Sequence, residues 1–245
     1  MAASKRLLAF VLLGLVAVAC LAVSPGTPGD DGFVAARHRM VEEQIRPRGV
    51  TDPATLAAIE SVPRHLFVPE SERSKAYEDQ PLPIGLNQTI SQPYIVALMT
   101  SLLKLRPGSR VLEVGTGSGY QAAVLSRIAG DVYSVEILKP LAERARHTLA
   151  ELGYRNVHLR VGDGYKGWPD AAPFDGIIVT AAPSRIPEPL LEQLKVGGKL
   201  VIPVGDAYQD LIVMTKRADG GFDRASVLPV RFVPMTGEAQ REPPR

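Results

Sequence analysis

Cysteine is almost missing from this chain: among 245 residues there is one, Cys20. Everything beyond it therefore lacks the means for a disulfide, a cysteine nucleophile or a thiolate metal site. An excess of one charge is missing too. Residues 1–19 hold two of the 28 Lys and Arg and none of the 26 Asp and Glu, which leaves 26 bases against 26 acids in the remainder. A dedicated nucleic-acid binder would carry a basic surplus, so no nucleic-acid partner is expected. His65 has no second His, Asp or Glu at metal spacing around it, which reads as a structural histidine, and no metal is expected. The longest apolar run, residues 7–19, falls short of the roughly 20 residues that cross a bilayer.

That run nevertheless has a recognisable form. Lys5 and Arg6 precede it, S-P-G-T-P-G-D-D-G follows it, and its length suits the apolar centre of a secretory signal. Ala17-Val18-Ala19 before Cys20 resembles a lipoprotein cleavage box, with Ala where Leu would be usual. The segment points to export, with membrane contact confined to it. The composition beyond it, within a chain that is 45% hydrophobic and 22% charged, suits one globular body. The expected division is residues 1–32 as signal and linker, 33–237 as the domain and 238–245 as a flexible tail.

What the body does have is a strand that breaks into glycines. In V-L-E-V-G-T-G-S-G-Y, residues 111–114 read as a short buried strand, and Gly115, Gly117 and Gly119 lead into a helical run. Backbone without Cβ admits a ligand close to the main chain at the electropositive start of a helix. The spacing is G-x-G-x-G and departs from the dinucleotide pattern G-x-G-x-x-G. Glu136 stands 21 positions beyond Gly115, at the end of an apolar run, where a carboxylate can accept from both hydroxyls of a ribose. Asp163 lies between Gly162 and Gly164 at the end of a third strand and is a candidate acceptor for an exocyclic amine.

Around this turn the pattern alternates. Strands are expected at 110–114, 132–135, 157–161, 174–180 and 200–204, with helices at 120–128, 138–152 and 187–194 among them. Two last apolar runs, 211–215 and 226–232, are joined by A-D-G-G and read as an antiparallel pair. Two helices come first, over 33–46 and from Asp52-Pro53 onward. The fold class is α/β: a doubly wound, mostly parallel sheet with an antiparallel C-terminal edge, and ligands at the carboxyl ends of its strands.

A second informative stretch is Y-E-D-Q-P-L-P-I-G-L-N-Q-T-I-S-Q-P-Y at 77–94. Its prolines forbid a long helix or a central strand, so it reads as an ordered loop opening a helix over 94–105. Gln88, Thr89 and Ser91 place short polar groups near that helix start, chemistry suited to holding a carboxylate. Ser91 can equally be a simple helix cap, and its residues alone leave both readings open.

The glycine turn resembles motif I of the S-adenosylmethionine-dependent methyltransferases, in which Glu113 would face the methionine amino end of the cofactor. With P-I-G-L-N-Q-T-I-S-Q-P (83–93), G-D-G (162–164), P-F-D-G-I-I-V-T-A-A (173–182), L-K-V-G-G-K-L-V-I-P-V-G (194–205) and V-R-F-V-P-M-T (230–236), the body resembles the protein-L-isoaspartate O-methyltransferases. The resemblance implies a Rossmann-like fold, S-adenosyl-L-methionine as methyl donor, no metal, isoaspartyl-containing proteins and peptides as acceptors, and a monomer. By the same resemblance Ser91 is the active-site residue, and Gln88, Thr89, Ile90, Glu113, Gly115, Gly117, Gly119, Glu136, Asp163, Gly164 and Thr236 surround the donor. An N-terminus built for export departs from the family's cytosolic form. No contact is counted on from the short, proline-rich residues after Thr236. The rival readings are a methyltransferase for another carboxylate and a non-catalytic exported binding protein on the same fold.

Overall fold

Strand β3 (Arg110–Val114) is the hub of the molecule, a computed structural model that describes residues 32–241. Its last four residues are buried, as apolar and β-branched side chains must be in a strand covered on both faces. β4 (Asp131–Glu136) and β6 (Phe174–Val179) flank it in parallel register. β5 (Val157–Val161) lies beyond β4, and β7 (Leu194–Val204) beyond β6. β8 (Gln209–Lys216) and β9 (Phe222–Val230) finish the seven-stranded sheet antiparallel, in the order β5-β4-β3-β6-β7-β8-β9. From β3 the chain winds outward to β5 and then crosses back to β6 on β3's other side. The order reverses between β3 and β6, and such reversals open a crevice at the carboxyl ends of the strands.

Helices cover both faces. α1 (Val34–Arg39) and α2 (Pro53–Ser61) belong to the N-terminal lead, where Asp52 caps α2 by accepting from the Thr55 amide at 2.9 Å. The single helix expected over 33–46 is divided: beyond α1 it widens into a π-helical stretch, Met40–Ile45. A π turn aligns residues five apart, which brings Met40 and Ile45, both wholly buried, onto the core. α3 (Pro93–Leu102) and α4 (Tyr120–Ser126) pack with that lead on one face, and α6 (Glu188–Glu192) closes the other. Against α4 lies α5 (Lys139–Glu151). His65 is buried, stacked on Phe33 with ring centroids 4.2 Å apart, its Nδ1 2.7 Å from the Tyr77 hydroxyl.

The proline-rich stretch is more regular than an ordered loop. β1 (Leu82–Gly85) and β2 (Gln88–Ile90) pair as an antiparallel ribbon separate from the main sheet. Leu86 and Asn87, at φ 53° and 57°, make its turn, the left-handed pair that suits a two-residue hairpin. Prolines are excluded from a central strand but tolerated on an edge, and a two-stranded ribbon has only edges. The expected export segment lies outside the described residues. Among those described, no helix is long and apolar enough to cross a membrane.

Candidate active site

Three hollows meet at the carboxyl ends of β3, β4 and β6. A long cleft runs from Glu136 and Ile137 past Gly115 and Gly117, and is walled by Gln88, Thr89, Gly164, Met235 and Thr236. A small pocket descends from Thr89, Ile90 and Ser91 along residues 115–118 to Tyr120 and Gln121. A wide cavity of about 520 Å³ opens between Arg48, Ser91, Gln92 and residues 228–233. Thr89 and Thr180 line all three, while Ser91 lines the small pocket and the wide cavity only. These hydroxyls stand where the hollows adjoin, together with Gly115 and Gly117 between the long cleft and the small pocket.

The glycine turn is shaped from below. Gly115 has φ +95°, and a Cβ there would lie 2.4 Å from the Thr180 hydroxyl oxygen, which donates to the Gly115 carbonyl at 2.6 Å. Only glycine meets both demands. Glu136, 5% exposed, fixes the turn from the side: its Oε2 accepts from the Gly117 amide at 2.8 Å and its Oε1 from the Leu138 amide at 2.9 Å. Each oxygen keeps a lone pair for a ligand in the cleft. Gly119 serves packing instead. It starts α4 away from the cleft, and a Cβ would press on Leu149 at 3.2 Å.

Two of the acids expected around the donor do not line the cleft. Strand alternation turns Glu113, with Val111, to the face covered by α4, so it lies wholly buried beneath the turn and does not line the cleft. There Ser134 donates to Glu113, and the Thr116 and Ser134 hydroxyls are 2.5 Å apart. Burial, helped by the nearby Glu136 charge, pushes the Glu113 carboxyl up to about 8. Asp163 stays outside the cleft lining: its Oδ1 accepts from Tyr165 at 3.0 Å and its Oδ2 from the Glu238 amide at 2.8 Å. That second bond is a contact from beyond Thr236, where none was counted on. Gly237–Gln240 is a 3-10 turn tied to the end of β5, and Lys166 pairs with Glu238 at 3.3 Å. Thr236 reaches the cleft because the Met235 amide donates to the Ala182 carbonyl at 2.7 Å, just past β6.

The helix behind Ser91 also departs from the simple capping reading. Gln92 is the residue at the start of α3, and no side chain at that position caps it. The Tyr94 amide donates to Asp79 instead, at 3.1 Å. Thr180 and Asp79 were both missed in the sequence. Thr180 had a signal, since it follows the strand at the reversal; Asp79 had none, because only the fold brings it to α3.

A family model described as Protein-L-isoaspartate(D-aspartate) O-methyltransferase matches residues 35–240. The chain belongs to that family. A protein-L-isoaspartate O-methyltransferase of Opitutus terrae is 60% identical over 204 residues, 82% of this chain and 87% of the relative. One from Shewanella sediminis, designated number 2, is 50% identical over 240 residues, 97% and 98% of the two chains. A solved protein-L-isoaspartate O-methyltransferase shares 33% identity at a TM-score of 0.75, over 83% of this chain and 67% of its own. A Plasmodium falciparum structure named for the same activity, in complex with S-adenosyl-L-homocysteine, shares 26% identity at a TM-score of 0.70, over 82% and 98%. The family's methyl donor fits what is present: a turn where a Cβ cannot be placed, and a carboxylate locked at its side. Among the described residues no group of three or more His, Cys, Asp or Glu could hold a metal.

Two outcomes follow from this geometry. Glu136→Gln replaces one acceptor oxygen by an amide that faces a backbone donor. It should weaken S-adenosyl-L-homocysteine binding about tenfold or more by calorimetry, and an unchanged Kd contradicts the assigned anchor. For Glu113 the folded carboxyl is raised, so the folded state holds an extra proton between the ordinary carboxyl range and about pH 8. Its stability contribution is complete below about pH 4.3 and is lost as pH rises through about 8. Urea unfolding from about pH 5 to 8.5 should show the parent losing more stability than Glu113→Gln, and parallel curves contradict it.

Proposed function

We propose that this protein transfers a methyl group from S-adenosyl-L-methionine to the free α-carboxylate of L-isoaspartyl residues in damaged proteins and peptides. The observation that carries this reading is the position of Ser91, on the border between the wide cavity and the small pocket that touches the glycine turn. The donor supplies one electrophilic methyl carbon bound to a positively charged sulfur. Gln88, Thr89, Gly115, Gly117, Glu136, Gly164 and Thr236, which line the long cleft, hold it, with Ile90 contributing from the small pocket.

The acceptor needs orientation rather than activation. An α-carboxyl group titrates near ~3.5, so at neutral pH it is already an anion and no general base is required. The Ser91 hydroxyl donates to one carboxylate oxygen and leaves the other facing the methyl carbon. A carbon–oxygen bond forms, the carbon–sulfur bond breaks, and its electron pair stays on sulfur; no proton moves. Fixing such an approach can contribute several kcal/mol to the rate, of the order known for oriented intramolecular reactions. The ester leaves the enzyme and closes to a succinimide without further help. An extended, isomerised segment suits a cavity of about 520 Å³ that is open along residues 228–233.

The test pairs two peptides that differ only in the linkage at one aspartate. Methyl ester formed from the donor, read as methanol released when each quenched sample is made alkaline, should appear with the isoaspartyl peptide and not with its normal twin. Ser91→Ala should lower kcat about tenfold or more with donor affinity unchanged. Equal esterification of both peptides contradicts the substrate assignment, and full turnover by the variant removes Ser91 from the mechanism.

A further inference from the structure

Behind the wall that carries Ser91, one carboxylate gathers three donors from two parts of the chain, Arg48 and the start of α3. Asp79 Oδ1 accepts from the Tyr94 amide at 3.1 Å. Its Oδ2 accepts from Gln92 Nε2 at 2.6 Å and from Arg48 Nη1 at 2.5 Å. Arg48 in turn lies over the Tyr94 ring, 3.4 Å from its centroid. Arg48, Ser91 and Gln92 share the wide cavity; Asp79 stands behind that wall and lines no part of it.

The start of α3 explains why this matters. Pro93 brings no amide, so Tyr94 has the first free N–H of the helix, and the residue at the helix start offers no cap. An uncapped helix start attracts a nearby serine hydroxyl, and such a cap is worth about 1 kcal/mol. Ser91 lies two residues before α3 and three before Tyr94, the separation over which a capping side chain reaches an amide. Asp79 already occupies that amide. We propose that Asp79 is a positioning residue, which holds the Tyr94 amide and the Gln92 and Arg48 side chains so that the Ser91 hydroxyl stays turned towards the acceptor cavity. The inference rests on the reading above that Ser91 steers the acceptor carboxylate.

A purely structural Asp79 would affect stability and leave the effect of Ser91 untouched, so a double-mutant cycle on the full chain separates the two. Asp79→Ala should lower kcat for the isoaspartyl peptide about tenfold, with S-adenosyl-L-homocysteine affinity within about twofold of the parent. Adding Ser91→Ala to it should cost less than about twofold more. Asp79→Asn retains one acceptor oxygen and should recover part of the loss; if the alanine variant does not fold, the cycle runs on the asparagine variant, where the cost of Ser91→Ala must again shrink. Full, independent cost of Ser91→Ala in either background, or undiminished kcat in Asp79→Ala, overturns the inference. A parent enzyme inert on the isoaspartyl peptide overturns it together with the proposed function, whereas an active parent with independent effects overturns it alone.

Discussion

The bond from the Gly117 amide to Glu136, 2.8 Å long, is the constraint on which the site depends. It joins the turn after β3 to the end of β4, and through the second carboxylate oxygen it reaches the backbone just before α5. The floor of the cleft is thus main chain held in place by one carboxylate. Above it the β1–β2 ribbon carries Gln88, Thr89 and Ile90, and Arg144 of α5 anchors that ribbon by donating to the Ile84 carbonyl at 2.8 Å. One helix therefore connects the floor of the cleft to its roof.

The two glutamates beneath and beside the turn divide the work according to solvent. Glu136 meets backbone amides at the cleft wall, whereas Glu113 meets hydroxyls in the interior and titrates far above its usual range. A buried acid of that kind stays neutral over much of the working pH range, and Ser134 links it to Thr116 of the glycine turn. Beyond the cleft, a hydroxyl and a carboxylate are again separated. Ser91 borders the cavity, and Asp79 secures the helix behind it.

Much of this was legible in the residues. Strands 110–114 and 157–161 came out at their true limits, since short apolar runs bounded by turn residues leave little choice of end. Gly115, Gly117 and Glu136 were placed together by spacing alone, because a parallel strand–turn–helix unit brings neighbouring strand ends into register. The remainder depended on facts that spacing does not carry. Asp163 accepts from an amide 75 residues later, and the Tyr94 amide at the start of α3 is held by a carboxylate 15 residues before it. The ribbon at 82–90 was hidden by prolines that count against a sheet interior but not against a free-standing pair.

In the proposed mechanism donor and acceptor meet at Thr89 and Thr180, with Ser91 guiding the acceptor. A crystal structure holding S-adenosyl-L-homocysteine together with an isoaspartyl peptide tests it most directly. The sulfur should sit at the junction of the three hollows, with the isoaspartyl carboxylate inside hydrogen-bonding distance of Ser91 Oγ and one of its oxygens directed at the sulfur. A carboxylate bound elsewhere, or a Ser91 hydroxyl turned back onto the Tyr94 amide in that complex, would contradict the account.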